Sequence, residues 1–233
     1  MKKNKAFTLA EVLITLGIIG VVAAMTIPTL MQKVDERETV SKLKKFYSTI
    51  QRAYSLAKIE NGEFGTWFSD EDCSGQAACA NKMADVFSQY FKVSKVCHDN
   101  QGCFANATYK KLSGQDFDNL HNLSTVSKLV TNDGFSVYFY KQKNELQGQI
   151  GVDINGDKGP NTFGKDTFNF LVYEDKIVPF GSYDSGTYGF PQNCNINNCS
   201  SICEACASWI IYNENMDYLH CSDLSWNGKT KCN

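Results

Sequence analysis

The chain has 233 residues, of which 42% are hydrophobic, 21% charged and 12% aromatic, and its formal net charge is −2. This composition is typical of globular proteins and excludes wholesale disorder and collagen-like repeats. A net charge near zero argues against a nucleic-acid-binding protein that works through bulk positive charge. The ten cysteines indicate an oxidising compartment or a metal site.

The chain begins with a basic segment that is followed by a long apolar one. Lys2, Lys3 and Lys5 precede the run 7–31, in which Glu11 is the only charged residue. At about 1.5 Å per helical residue, this run can cross a hydrocarbon core of about 30 Å. The excess of basic residues before the run predicts a cytoplasmic N-terminus and an extracytoplasmic remainder.

A cleaved export signal is the alternative interpretation of this segment, because Ala23-Ala24-Met25 has the small residues of a cleavage site. Two features argue against it. The carboxylate of Glu11 is costly in lipid, by about 2.5–3.5 kcal/mol at mid-membrane and less near the interface, and an export signal gains nothing from it. In addition, the apolar run passes directly into an amphipathic pattern.

That pattern predicts that the helix continues from Lys33 to about Glu60. Apolar residues recur at steps of three and four, which places them on one face of a helix. Asn61-Gly62 supplies a stop signal, and Pro28 is expected to kink the helix because it removes one backbone donor. The apolar stripe consists of Val40, Leu43, Phe46, Tyr47, Ile50, Ala53, Tyr54 and Ala57.

Residues 5–14, KAFTLAEVLI, resemble the prepilin signature of type IV pilins and type II secretion pseudopilins. The resemblance covers about the first thirty residues. It implies that a prepilin peptidase cuts between Ala6 and Phe7 and methylates the new amine of Phe7, and it identifies Glu11 as the family's glutamate. The chain departs from the family pattern at Ala6, where glycine is usual, and at Ala10, where a larger aliphatic residue is usual.

The resemblance also implies a mode of assembly and a set of partners. In a filament the charged amine of Phe7 in one subunit can pair with Glu11 of its neighbour, which gives a carboxylate in lipid a partner. The partners implied are other pilin or pseudopilin subunits, prepilin peptidase and an inner-membrane assembly platform. The implied location is the bacterial inner membrane, as a single-pass protein, and then the pilus or pseudopilus.

After Gly62 the sequence predicts a mixed globular domain. The pattern favours a helix over Asn81–Lys92 and, more weakly, one over Phe117–Val130. Four strands follow, separated by turn residues, at 135–140, 149–153, 168–173 and 176–180. The predicted fold is α+β and pilin-like, with a long N-terminal helix packed on an antiparallel sheet and a disulfide-rich C-terminal region.

The predicted domain organisation has four parts. They are a leader peptide (1–6), a transmembrane and polymerisation helix (7–31), its amphipathic continuation (32–62) and an extracytoplasmic globular domain (63–233), whose C-terminal part (190–233) is rich in cysteine.

Disulfides are the default prediction for the cysteines, because the domain is expected to face an oxidising compartment. Short spacings suggest local bridges, with Cys221–Cys232 as one candidate, although the sequence does not fix the pairing. The alternative is zinc at Cys194, Cys199, Cys203 and Cys206, and a redox-active pair at Cys203-Glu-Ala-Cys206 is a third interpretation. The disulfide candidates are Cys73, Cys79, Cys97, Cys103, Cys194, Cys199, Cys203, Cys206, Cys221 and Cys232.

The segment 153–166 is the best candidate for a ligand site. Oxygen-bearing side chains at Asp153, Asn155 and Asp157, the carbonyl of Gly159 and the carboxylate of Asp166 could surround a structural calcium ion. Some pseudopilins hold structural calcium in a loop of this domain, so the resemblance makes a calcium site relevant here. The alternative is an ordinary turn between two strands, where Asp, Asn and Gly are expected in any case.

No enzyme signature is present: the sequence contains no Gly-x-Ser-x-Gly, phosphate-binding loop or dinucleotide fingerprint. We therefore expect a structural subunit and not an enzyme, one that polymerises into a pilus or a pseudopilus. The rival hypothesis is a membrane-anchored extracytoplasmic binding or adhesin domain that never polymerises. An exported enzyme with a cleaved signal is a third hypothesis.

Overall fold

The computed structural model describes residues 8–69, 71–182, 189–196 and 203–232. The fold is α+β, as predicted, with a long N-terminal helix and an antiparallel six-stranded sheet. The elements are α1 (Leu9–Asn61), α2 (Gln76–Ser88), β1 (Val93–His98), β2 (Ser127–Thr131), β3 (Ser136–Lys141), β4 (Gly148–Asp153), β5 (Thr167–Val172), β6 (Ile177–Pro179) and α3 (Ala207–Asn213).

The chain divides into two compact units, Met1–Glu38 and Thr39–Asn233, and α1 runs through both. In the first unit the large apolar side chains of α1 are exposed; Leu9 and Met25, for example, are 77% and 72% exposed. The helix is long and apolar enough to cross a membrane, and none of its most apolar part is buried.

In the second unit, α1 contributes one wall of the hydrophobic core. Every residue of the predicted apolar stripe is buried, apart from Val40 and Tyr47, which are partly buried and packed against the core. The helix ends at Asn61, and Gly62 follows with a φ of +80°, a conformation that glycine adopts without strain. The predicted amphipathic helix and its stop signal are confirmed.

Aromatic contacts join α1 to the sheet. The Phe46 ring centroid lies 5.8 Å from that of Phe170 on β5 and 6.1 Å from that of Phe135, and Tyr47 stacks on Phe170 at 5.4 Å. The Tyr54 hydroxyl donates to the carbonyl of Tyr173 at the end of β5. The apolar side of the helix therefore faces the sheet, as the pattern of threes and fours predicts.

The six strands follow one another in chain order, and each pairs antiparallel with the next. The four predicted strands correspond to β3, β4, β5 and β6, with bounds that differ by at most one residue. The sequence pattern did not reveal β1 or β2. The predicted helix at Asn81–Lys92 exists as α2, which begins earlier, at Gln76, and ends at Ser88.

The prediction of a helix over Phe117–Val130 is wrong. Residues 117–126 form turns and irregular backbone, and β2 begins at Ser127. The apolar residues of this segment still reach a core, because Leu120 and Val126 are buried in a second hydrophobic cluster with Phe104 and Tyr109. Irregular backbone can place apolar residues at helical spacing, so the spacing alone does not settle the conformation.

The second cluster explains why both faces of the sheet are buried. On β3, Val137 and Phe139 face the α1 side, whereas Tyr138 belongs to the second cluster. All six residues of β5 are buried. The segment 103–126 thus covers the face that α1 leaves open, and the sheet lies between two apolar layers.

Candidate functional site

Glu11 lies in the first turn of α1 and forms a reciprocal set of hydrogen bonds with Thr8. The Thr8 main-chain N–H and hydroxyl each donate to Glu11 Oε2 at 2.8 Å, and the Glu11 N–H donates to Thr8 Oγ1 at 3.2 Å. This is a capping box, in which two backbone donors of the helix end are satisfied. The sequence analysis missed it, although Thr-x-x-Glu before an apolar run is a recognised signal.

The other N-terminal residues singled out in the sequence are Ala6, Phe7 and Pro28. Ala6 and Phe7, the predicted cleavage and methylation site, lie outside the described residues. Pro28 lies inside α1, where it lacks the N–H that a helix interior uses, and the helix is continuous on both sides of it. The predicted kink at Pro28 stays a prediction.

The two aspartates of the 153–166 loop are buried and are held by hydrogen-bond donors. Asp153 accepts hydrogen bonds from the Tyr109 hydroxyl at 2.7 Å and from the N–H groups of Asn155 and Gly156 at 3.0 and 3.1 Å. Burial, and next the charge of Asp166, raise the pKa of Asp153 to about 7. These donors explain how the carboxyl group is accommodated in an apolar region.

Asp166 closes the loop from the other end. Its carboxylate accepts hydrogen bonds from the N–H groups of Asn161 and Thr162, both at 2.7 Å, and burial raises its pKa. The side-chain amide nitrogen of Asn155 lies 3.3 Å from both the Gly159 carbonyl oxygen and Asp166 Oδ2. The loop therefore brings Asn155, Gly159 and Asp166 together at one point.

The contacts at that point involve three of the five predicted calcium ligands. Asp157 is exposed, and Asp153 is occupied by the donors described above. Within the described residues, no group of three or more His, Cys, Asp or Glu side chains is placed to hold a metal ion. Calcium binding stays a prediction. At this point the carboxylate of Asp166 has the Asn155 amide and the Gly159 carbonyl as neighbours.

A second buried polar network lies on the same face of the sheet, and the sequence analysis did not find it. The Tyr138 hydroxyl donates to Asn169 Oδ1 at 2.6 Å, and Asn169 Nδ2 donates to Glu204 Oε2 at 2.9 Å. Gly151 makes room for the tyrosine, because a Cβ there would lie 2.0 Å from its ring. Burial raises the pKa of Glu204 to about 7.

Ser127, His98 and Asp85 have the side-chain types of a hydrolytic triad, but the serine is not accessible to a substrate. The Ser127 hydroxyl lies 3.4 Å from His98 Nδ1, and His98 Nε2 lies 3.7 Å from Asp85 Oδ1. Ser127 is completely buried, so a substrate could not reach its hydroxyl. The group is therefore a packing and hydrogen-bonding arrangement in this conformation.

The cysteines form local bridges. The bonded pairs are Cys73–Cys79, Cys97–Cys103, Cys194–Cys206 and Cys221–Cys232, and the last confirms the predicted candidate. Cys203 is disulfide-bonded as well, whereas Cys199 lies outside the described residues. The zinc and redox-pair alternatives are wrong for this state, because Cys194, Cys203 and Cys206 are all engaged in disulfides.

Comparison with known proteins gives two family matches. Residues 29–194 match a family of unknown function (DUF6613). Residues 1–27 match the prokaryotic N-terminal methylation motif, which confirms the pilin- and pseudopilin-like signature of the N-terminus. No curated protein and no solved structure gave a significant match.

Proposed function

Because the chain belongs to a family of unknown function (DUF6613) and begins with an N-terminal methylation motif, we propose that it is a structural subunit of a type IV pilus or a type II secretion pseudopilus. The subunit is inserted in the bacterial inner membrane with its N-terminus in the cytoplasm. Prepilin peptidase cuts it between Ala6 and Phe7 and methylates Phe7. An inner-membrane assembly platform then adds it to a filament of pilin or pseudopilin subunits.

The observation that carries this proposal is the combination of an exposed apolar helix and the carboxylate of Glu11 in its first turn. In lipid, apolar side chains of a helix can stay exposed without cost, but a carboxylate needs hydrogen-bond donors or a cation. Thr8 supplies two donors to Glu11 within one chain. A neighbouring subunit's Phe7 amine would add a positive charge, and this gain favours addition of subunits in register.

Variants of the capping box can separate charge from hydrogen bonding. Glu11→Gln keeps an acceptor for Thr8 and removes only the charge, whereas Glu11→Ala removes both. We expect both variants to lose incorporation into filaments, because neither carries the negative charge that pairs with the Phe7 amine. Thr8→Val, the matched control, keeps the charge and loses a cap worth about 1 kcal/mol, so it should still assemble. Filaments sheared from cells and the membrane pool are quantified by immunoblot.

The mass of the mature chain provides the processing control for each variant. A chain that begins at Phe7 and carries one methyl group is expected, whereas retention of Met1, or a start after Met25, would contradict the proposal. Normal assembly of Glu11→Gln would contradict the charge-pairing mechanism. Absence of the parent chain itself from the sheared filaments would favour the rival hypothesis of a membrane-anchored adhesin domain that does not polymerise.

We also propose that the 153–166 loop binds calcium through Asn155, Gly159 and Asp166. In support, Asn155 Oδ1 is buried and has no hydrogen-bond partner among the described residues, while its Nδ2 lies between two oxygens. The orientation of such an amide depends on its surroundings, and a cation would favour the oxygen. When bound, calcium would link the two ends of the loop.

The calcium proposal is tested by thermal unfolding of the full chain in detergent. Calcium should raise the Tm relative to EGTA, because a ligand that binds only the folded state stabilises it. Asp166→Asn should remove most of the difference between the two conditions, whereas Lys158→Ala, in an exposed position of the same loop, should keep it. A Tm of the parent chain that calcium does not change would overturn the proposal.

A further inference from the structure

A groove of about 560 Å³ runs along the exposed side of α1 in the second unit. It lies between α1 and the two turns that follow α2 and β2. Its floor is apolar and includes Phe46, Phe91 and Phe135, and its rim carries Lys45, Arg52 and Lys92. We call this feature the helix-side groove.

The rim of the helix-side groove has more positive charge than the folded chain neutralises. Lys45 pairs with Asp133 at 3.1 Å, but both side chains are more than half exposed, so the pair contributes little to stability. Arg52 and Lys92 are exposed and form no ion pair within the described part of the chain. An acidic partner could therefore bind the rim without first breaking a strong interaction.

The chain itself carries a surface with the complementary character. On α1, Met31, Val34, Asp35 and Glu38 follow the spacing i, i+3, i+4 and i+7, which places them on one side of the helix. Met31 and Val34 are 60% and 53% exposed, and Asp35 and Glu38 are exposed as well. We call this set the acidic stripe. It combines two apolar side chains with two carboxylates.

We propose that the acidic stripe of one subunit docks in the helix-side groove of a second copy of the chain. Met31 and Val34 would cover the apolar floor, and Asp35 and Glu38 would meet Arg52 and Lys92 at the rim. This arrangement is the helix-in-groove mode of recognition, with charge setting the register. The inference rests on the proposed function, since it is polymerisation that brings the α1 helices of different copies together.

The direct test places a photoreactive cross-linking residue at Thr49, an exposed position that lines the groove, in the full-length protein in cells. Mass spectrometry of the cross-linked dimer should identify peptides that contain residues 31–38. A cross-linker at Lys158, exposed and outside the groove, should not give this product. Adducts to another segment or another protein, or no dimer adduct at all, would overturn the inference.

Charge exchange gives a second, functional test. Arg52→Glu should lower filament incorporation by about tenfold, because a rim charge then repels the acidic stripe. Adding Asp35→Lys in the same chain should restore much of the loss, and Lys158→Glu should have no effect. Arg52 is exposed, so the fold should survive, and thermal unfolding checks this point.

The two proposals fail in different ways. If Arg52→Glu assembles like the parent chain while Glu11→Ala does not, the groove inference is wrong and the proposed function stands. If Glu11→Ala also assembles normally, the charge-pairing mechanism of the proposed function is wrong. The cross-link at Thr49 then still decides whether two copies meet at the groove, because it also detects contacts between subunits in the membrane that are not part of a filament.

Discussion

Single residues show how burial changes the chemistry of ordinary side chains. Glu204 is only 6% exposed, and its carboxyl group meets the amide of Asn169, which in turn accepts a hydrogen bond from Tyr138. Water that would solvate the ionised form is excluded, so the pKa of Glu204 rises to about 7. Burial is also the main reason that the pKa of Asp153 rises to about 7.

These shifts predict that the domain loses stability as the pH rises. In the unfolded chain both groups lose their protons near pH 4, whereas in the folded chain they keep them until about pH 7. The folded state therefore binds more protons between these values, and the free energy of unfolding should fall from pH 5 to pH 8. Glu204→Gln should remove part of this slope, by about 2–3 kcal/mol over the range.

Urea unfolding at several pH values measures this effect. Asp153 should maintain the remaining slope in Glu204→Gln. The matched control is Glu71→Gln, at an exposed position, which should leave the pH dependence of the parent chain unchanged. A free energy of unfolding that rises between pH 5 and pH 8 would contradict the raised pKa values of Glu204 and Asp153.

At the scale of elements, two disulfides of similar loop length allow a comparison of chain entropy with packing. Cys194–Cys206 and Cys221–Cys232 span 12 and 11 residues, so loop closure should contribute about 3 kcal/mol in each case. Cys194 and Cys206 are almost completely buried, and Cys206 immediately precedes α3, whereas Cys221 and Cys232 are partly exposed.

We therefore expect the Cys194→Ala/Cys206→Ala variant to be less stable than the Cys221→Ala/Cys232→Ala variant. The difference should be about 1–2 kcal/mol, because removal of two buried sulfurs leaves a cavity in addition to the longer free loop. Urea unfolding of the two variants under oxidising conditions measures it. Equal losses of stability would indicate that loop closure alone determines the contribution of these bridges.

At the scale of the whole molecule, the two units use their apolar residues differently. The second unit buries apolar residues on both faces of the sheet. The first unit leaves them exposed, as a helix that lies in lipid or packs against other subunits can. Substitutions in the first unit should consequently change assembly more than folding, which is the basis of the Glu11 and Asp35 experiments.

The sequence by itself determined the N-terminal features of this protein. The apolar run, the motif around Glu11 and the stripe from Val40 to Ala57 are local patterns, and their periodicity does not depend on distant residues. The four strands from β3 to β6 were likewise visible, since β-branched and aromatic residues alternate with turn signals. The local spacing of cysteines also correctly indicated Cys221–Cys232.

The tertiary structure alone decided which residues lie together across the sheet. Leu120 and Val126 follow a helical spacing, but contacts with Phe104 and Tyr109 place them on irregular backbone that leads into β2. Likewise, nothing near Glu204 in the sequence reveals Asn169, which is 35 residues away. Burial depends on long-range packing, so a buried carboxylate, a covered sheet face and the helix-side groove become visible only when the chain is folded.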